Sequence, residues 1–189
     1  MKLITEKPPI SRASFTLFPT PPYDFELTAG SLTYFTGRYG ADIFEGGVFR
    51  RLLDLGGVLA LTTVRSTGTL TSPRLDVEVA GPWLDEDVLA GARRRVAWML
   101  GVDGDLGPFY FMAQFDPHLA RVAGAMRGLH VPLTSSVYEA LVLAILGQQV
   151  SSHVARVVRT LLIETYGPRL EVDGETYRAF PRTEDLADA

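Results

Sequence analysis

Cysteine is absent from the 189 residues, which excludes disulfides, thiolate zinc sites, iron–sulfur clusters and a cysteine nucleophile. Lysine is almost absent as well: Lys2 and Lys7 are the two in the chain, and every other basic residue is arginine. Long apolar runs are missing. None reaches the roughly 18 residues that a membrane-spanning helix needs, and the N-terminus, which opens Met1-Lys2-Leu3, has no hydrophobic signal core. No membrane partner is expected, and a cytoplasmic location follows as the default. Histidine is sparse. His118, His130 and His153 show no metal-ligand spacing and are expected at the surface or at helix caps, so neither a metal nor an organic cofactor is implied. Positive charge is in deficit, with a formal net charge of −4, which taken alone argues against a nucleic-acid partner. Phosphate contact depends on local arrangement, however, and Arg93-Arg94-Arg95 and the pair Arg156 and Arg159 offer planar forks suited to it.

Apolar residues make up 47 % of the chain and charged residues 21 %, the proportions of a globular protein. The fold class expected is α+β: a small, mostly antiparallel sheet with a packed helix over residues 1–81, followed by a helical part over 82–189. Strands are expected at Phe15–Phe18, closed by Pro19, around Val48–Leu53, at Val58–Val64, and at Leu75–Val79, where apolar and acidic residues alternate with period two. Gly46-Gly47 and Gly56-Gly57 fit turns or bulges. A helix is expected over roughly Phe25–Tyr39, with Leu27, Leu32 and Phe35 on its apolar face.

After Gly81-Pro82 the spacing turns helical. Asp85 caps a helix that Gly101 stops, a short helix covers Pro108 to Gln114, and Asp116-Pro117 opens another with Leu119, Val122 and Met126 inward. Ser136 and Glu139 form a capping box leading into Leu141, Ala144 and Ile145. Ser151 or Ser152 starts a helix with Val154, Val158 and Leu161 on one face, ended by Gly167-Pro168. Thr183 is the expected cap of a last helix that has less than two turns before Ala189.

Little in the chain reads as catalytic. Ser135-Ser136 and Ser151-Ser152 lack a neighbouring base and suit helix caps, as do Asp103, Asp105 and Asp116. One segment stands apart: Ala144-Ile-Leu-Gly-Gln-Gln-Val-Ser-Ser152. An apolar helix runs into Gly147, two amides stand side by side, and a serine starts the next helix, whose free N–H groups can hold an anion. An ordinary helix–turn–helix joint with solvated amides fits the same residues.

The run Tyr138-Glu-Ala-Leu-Val-Leu-Ala-Ile-Leu-Gly-Gln-Gln-Val-Ser151 resembles a segment of the 3-methyladenine DNA glycosylase II family, within the helix-hairpin-helix glycosylase superfamily. Pro21-Pro22-Tyr23-Asp24-Phe25 is similar to that family's opening. Asp116-Pro117, Gly128-Leu-His130, Tyr166-Gly167 and Phe180-Pro181 follow in the family's order, so the resemblance spans Phe15 to Ala189. It implies an enzyme that binds double-stranded DNA, flips out an alkylated base and hydrolyses its N-glycosidic bond. By the same resemblance Gln148 lies near the flipped nucleotide, Gln149 fills the hole left in the stack, and Ser151 caps the following helix. Ser31 falls near a position that can be a pocket aromatic in relatives, a role for which Tyr34 or Phe35 would substitute. The hairpin glycines and the catalytic aspartate are expected beyond Ala189, so these residues contain no catalytic group and the helical part is a partial helix-hairpin-helix glycosylase domain. Two other readings fit the same residues: a non-catalytic DNA- or partner-binding module, and a protein that self-associates through an uncovered helical face.

Overall fold

Alternation and tight turns build the sheet. In the computed structural model, which describes residues 9–187, six strands form one antiparallel sheet: β1 (Ser11–Leu17), β2 (Arg38–Tyr39), β3 (Asp42–Glu45), β4 (Val48–Leu55), β5 (Val58–Ser66) and β6 (Leu75–Gly81). Their order is β1-β6-β5-β4-β3-β2. Two-residue hairpin turns of type I′ need positive φ at both central positions. The glycine pairs supply it, with φ of 59° and 71° at Gly46 and Gly47 between β3 and β4, and 72° and 94° at Gly56 and Gly57 between β4 and β5. Residues 1–8, Asp188 and Ala189 lie outside the described residues.

Period two then sorts the sheet's side chains. Phe49 and Leu53 of β4, Ala60 and Val64 of β5, and Leu75, Val77 and Val79 of β6 share one buried face, each large apolar group contributing about 1.5–3 kcal/mol by leaving water. Two helices cover that face, α1 (Phe25–Leu32) through Phe25 and Ala29 and α2 (Glu86–Met99) through Val88, Ala92, Val96 and Met99. Both start where the sequence leads one to expect: Asp24 accepts from the Leu27 N–H and Asp85 from the Val88 N–H, each at 2.9 Å. Gly101, with φ of 59°, follows the end of α2. The junction expected at residues 81 and 82 falls between β6 and α2, and α2 shares the sheet's core.

The opposite face, with Leu52, Leu61 and Ala80, is closed by a hairpin of β7 (Arg169–Val172) and β8 (Glu175–Arg178) through Val172 and Ala179. The sequence reading assigned these residues no element. The signal was present, since Asp173-Gly174 takes φ of 54° and 84° and an Asp-Gly pair is a preferred two-residue hairpin turn.

The remaining elements are α3 (Gly107–Ala113), α4 (Pro117–Ala125), α5 (Val137–Leu146), α6 (Ser152–Tyr166) and α7 (Thr183–Ala187). Asp116, Ser136 and Ser151 are N-caps as expected. The expected inward faces need correction. Val122 and Met126 are exposed and Ala123 is the buried residue of α4. Leu141, Ile145, Val154 and Leu161 are exposed, whereas Tyr138, Val142, Leu143, Leu162 and Ile163 pack together with Ala41 and Phe180. Spacing marks more than one apolar stripe on α5 and α6, and a buried charge cluster, described below, decides which stripe faces the sheet.

Three further expectations change. The first helix stops at Leu32 and not at Tyr39, because the Thr33 N–H and hydroxyl both turn back to the Gly30 carbonyl and Tyr34 and Phe35 take left-handed φ of 50° and 55°. Thr183 is the first helical residue, and Asp185 accepts from the Arg182 N–H at 2.8 Å. His130 is buried, not superficial: its ring lies 4.7 Å from that of Tyr23 and its nitrogens approach the carbonyls of Gly101 and Pro22.

Candidate nucleic-acid interface

The α5–α6 joint is short and exposed. Gly147 ends α5, and the Gln148 N–H still returns to the Ile145 carbonyl at 3.1 Å. Gln149 then takes φ of 57°, a left-handed conformation that costs a non-glycine residue about 1–2 kcal/mol. It reverses the chain at once, so that Ser151 can cap α6 by accepting from the Val154 N–H at 3.3 Å. Gln148, Gln149, Val150 and Ser151 are all exposed. Two amide side chains and the free N–H groups of α6's first turn thus share one tip, able to donate to and accept from a base edge and to donate to a phosphate.

A buried charge group ties both helices to the sheet. Arg51, projecting from β4 on the same face as Phe49 and Leu53, is 2 % exposed. Its guanidinium holds Asp42 Oδ1 of β3 at 2.5 Å and Glu139 Oε2 of α5 at 2.6 Å. Arg159 of α6 completes the group, at 3.1 Å from Asp42 Oδ2 and 3.5 Å from Glu139 Oε1. Two cations and two anions therefore sit charge-balanced and buried between two strands and two helices. Burial opposes charge on Arg51 and on Glu139 alike, and the partners overrule it. Asp42 and Glu139 hold the Arg51 pKa above its ordinary value, while Arg51 and Ser135 hold the Glu139 carboxyl below the usual carboxylate range.

Glu139 also departs from the expected capping box. Ser136 does accept from the Glu139 N–H, but the Glu139 carboxylate accepts from the N–H and hydroxyl of Ser135, at 3.1 and 2.7 Å, as well as from Arg51. None of the four charged residues was singled out for this role from sequence. Arg51 carried the available signal: a charge at an inward strand position has to be paired.

A cleft of about 260 Å³ opens over this group, with Ser31, Tyr34, Tyr39 and Thr134 among its walls. The rings of Tyr34 and Tyr39 meet edge to face at 5.0 Å, and the Arg159 guanidinium lies 4.3 Å from the Tyr39 ring. Of the two aromatics expected at a pocket, Tyr34 lines this cleft. Phe35 does not; its ring leans on α1 so closely that a Cβ at Gly30 would lie 2.5 Å from it. Gln148, Gln149 and Ser151 do not line the cleft either. Among the described residues no group of three or more His, Asp or Glu side chains is placed to hold a metal ion, and no helix is long and apolar enough to cross a membrane.

No protein-family model matches the chain. Its sequence is similar to the DNA-3-methyladenine glycosylase of Bacillus subtilis, with 26 % identity over 173 residues, 89 % of this chain and 55 % of that protein. Its fold is similar to that of the 3-methyladenine DNA glycosylase from Archaeoglobus fulgidus, with a TM-score of 0.77 and 21 % identity over 90 % of this chain and 57 % of that one. It is similar as well to the Clostridium acetobutylicum 8-oxoguanine glycosylase/lyase solved with double-stranded DNA containing cytosine opposite 8-oxoguanine, with a TM-score of 0.64 and 16 % identity over 95 % and 56 % of the two chains. The chain thus spans little more than half the length of the relatives it matches. In sequence along most of its length the chain resembles a DNA-3-methyladenine glycosylase, and it shares the α+β fold of a solved 3-methyladenine DNA glycosylase.

Proposed function

We propose that this chain forms the duplex-engaging part of a base-excision repair glycosylase that removes alkylated bases from double-stranded DNA. The observation that carries this reading is the exposed Gln148-Gln149 tip between α5 and α6, backed by a buried charge group that ties both helices to the sheet. In a flipped-base mechanism Gln148 contacts the displaced nucleotide, Gln149 enters the gap in the stack, and Ser151 orders the α6 N-terminus beside the backbone. Tyr34 stands where it can stack on a base, an alkylated base being a cation that an aromatic face attracts. Hydrolysis needs a carboxylate free to stabilise positive charge on the sugar. The buried carboxylates among the described residues, Asp42 and Glu139, are already held by arginines and so are not free for that role. The purified chain is expected to bind alkylated duplex in a salt-dependent manner and to release no base from it. Base release above the buffer background, measured by chromatography of the free bases, would overturn that division of labour.

A second reading rests on a different observation. Val137, Leu141 and Ile145 on α5 and Val154, Val157 and Leu161 on α6 are exposed, and apolar surface on that scale marks an interaction face. Self-association through these helices predicts a mass above that of the monomer in light scattering, falling on dilution. A concentration-independent monomer rejects it.

A further inference from the structure

Four arginines from four elements converge away from the Gln148-Gln149 tip. Arg38 of β2, Arg156 of α6, Arg169 of β7 and Arg178 of β8 line one cleft of about 590 Å³ between the β2–β3 edge, α6 and the β7–β8 hairpin. Glu164 is the one carboxylate in its lining. Among the described residues none of the four arginines enters a salt bridge. Arg156 reaches the Thr36 hydroxyl at 3.5 Å and Arg178 the Gly167 carbonyl at 3.2 Å, both neutral acceptors. Guanidinium groups gathered in this way repel one another until an anion fills the space between them, and their planar forks match phosphate oxygens.

The cleft lies along the helix that the joint begins. Ser152, Arg156, Thr160 and Glu164 follow one another at four-residue spacing, so they form a single stripe along α6, and its last three members line the cleft. Its first member is exposed and adjoins Ser151. A rise of about 1.5 Å per residue puts Arg156 roughly 7.5 Å along the axis from Ser151. The Arg156 guanidinium lies 6.0 Å from the Tyr39 ring, and Tyr177 lines the cleft itself, so aromatic faces accompany the charges.

We propose that this cleft binds phosphate groups, those of a nucleic-acid strand that leaves the α5–α6 tip and continues along α6. The identity of the strand rests on the DNA reading above; the phosphate chemistry rests on the arginines alone. The test uses the whole chain and the double variant Arg38→Ala, Arg169→Ala, which removes two exposed cations without breaking any salt bridge among the described residues. Circular dichroism melting first establishes that the variant folds. Duplex binding is then titrated between 50 and 200 mM salt, and sodium tripolyphosphate is added separately while the melting temperature is followed. The expected result is a slope of log K against log salt that is shallower by about 2 in the variant, close to 0.9 for each phosphate left without its arginine. A tripolyphosphate-dependent rise in melting temperature, present in the unmodified chain and abolished in the variant, upholds the phosphate site even if duplex binding is absent, in which case the ligand is a small phosphate compound and the DNA reading falls. Equal slopes together with no tripolyphosphate effect overturn the proposal, and leave the DNA reading standing wherever the unmodified chain binds duplex.

Discussion

Arg51→Ala is expected to destabilise the chain by about 3–5 kcal/mol, the usual consequence of stranding buried charges. The substitution removes the group that holds Asp42 and Glu139 together at 2.5 and 2.6 Å, leaving two anions to share Arg159. Removing one charge of each sign should hurt far less. Arg51→Met combined with Glu139→Met keeps the Asp42–Arg159 pair and fills the volume with apolar atoms, so the double variant should be more stable than the sum of the single variants predicts. Urea unfolding monitored by circular dichroism measures Arg51→Ala, the double variant and its two single variants. A loss below about 1 kcal/mol for Arg51→Ala would mean that water reaches the cluster and screens it. Acid gives an independent reading of the same group. Burial pushes the Glu139 carboxyl up, and Arg51 and Ser135 pull it further down, below its ordinary range. A carboxyl lowered on folding stabilises the native state above the unfolded-state pKa, and that contribution disappears as pH falls through the lowered folded value. Acid unfolding of the unmodified chain should therefore include a component below the ordinary glutamate range, and Glu139→Gln should not show it.

Gly128→Ala is the second large effect expected, about 2–4 kcal/mol from combined backbone strain and overpacking. Gly128 takes φ of 86°. A Cβ there would stand 2.7 Å from the Asp24 nitrogen and 2.6 Å from Leu70 Cδ1. The Asp24 backbone has little freedom to withdraw, because its N–H donates to the Gly128 carbonyl at 2.7 Å while its side chain caps α1. Gly124→Ala is the matched control. It lies within α4, its Cβ would meet nothing within 4 Å, and a gain of about 0.5–1 kcal/mol is expected from helix propensity and reduced freedom of the unfolded chain. Equal thermal midpoints for the two variants would refute the assignment of Gly128 as a close backbone approach.

What could be read from the residues divides by range. Caps at Asp24, Asp85, Asp116, Ser136 and Ser151 involve partners two or three positions away, and of these all but Asp24 were legible in advance. Strands β4, β5 and β6 were legible from apolar pairs around Arg50-Arg51, from β-favouring residues after Gly56-Gly57, and from alternation over Leu75–Val79 respectively. The α5–α6 joint was legible as a discontinuity, since no helix proceeds through Gly147 and two amides into a serine without a reason. Features that depend on distant segments were not. Asp42, Arg51, Glu139 and Arg159 belong to four elements, and no local pattern links them; Glu139 had a sufficient local explanation in its capping box, and that explanation concealed the other. The inward stripes of α4, α5 and α6 failed for the same reason, because a helix with several apolar stripes takes its orientation from what it packs against. The turn at Tyr34 and Phe35 is set by Thr33 folding back on α1, where the apolar spacing alone continued the helix. The Asp173-Gly174 hairpin was local and was missed: its flanking strands are four residues each and half polar.

The β7–β8 hairpin also sets an order in time. It closes a sheet whose six strands are complete by Gly81, yet Val172 and Ala179, which shield Leu52, Leu61 and Ala80, are made much later. At about 5–20 residues per second, the roughly 100 residues between β6 and Ala179 take the ribosome on the order of 5–20 s. Throughout that interval the nascent sheet presents an unshielded apolar side. Arg12 waits likewise for Asp173, its ion-pair partner 161 positions downstream. A growing chain in this state is expected to be a substrate for a holdase at the tunnel exit, with a yield that falls as the delay before the hairpin lengthens.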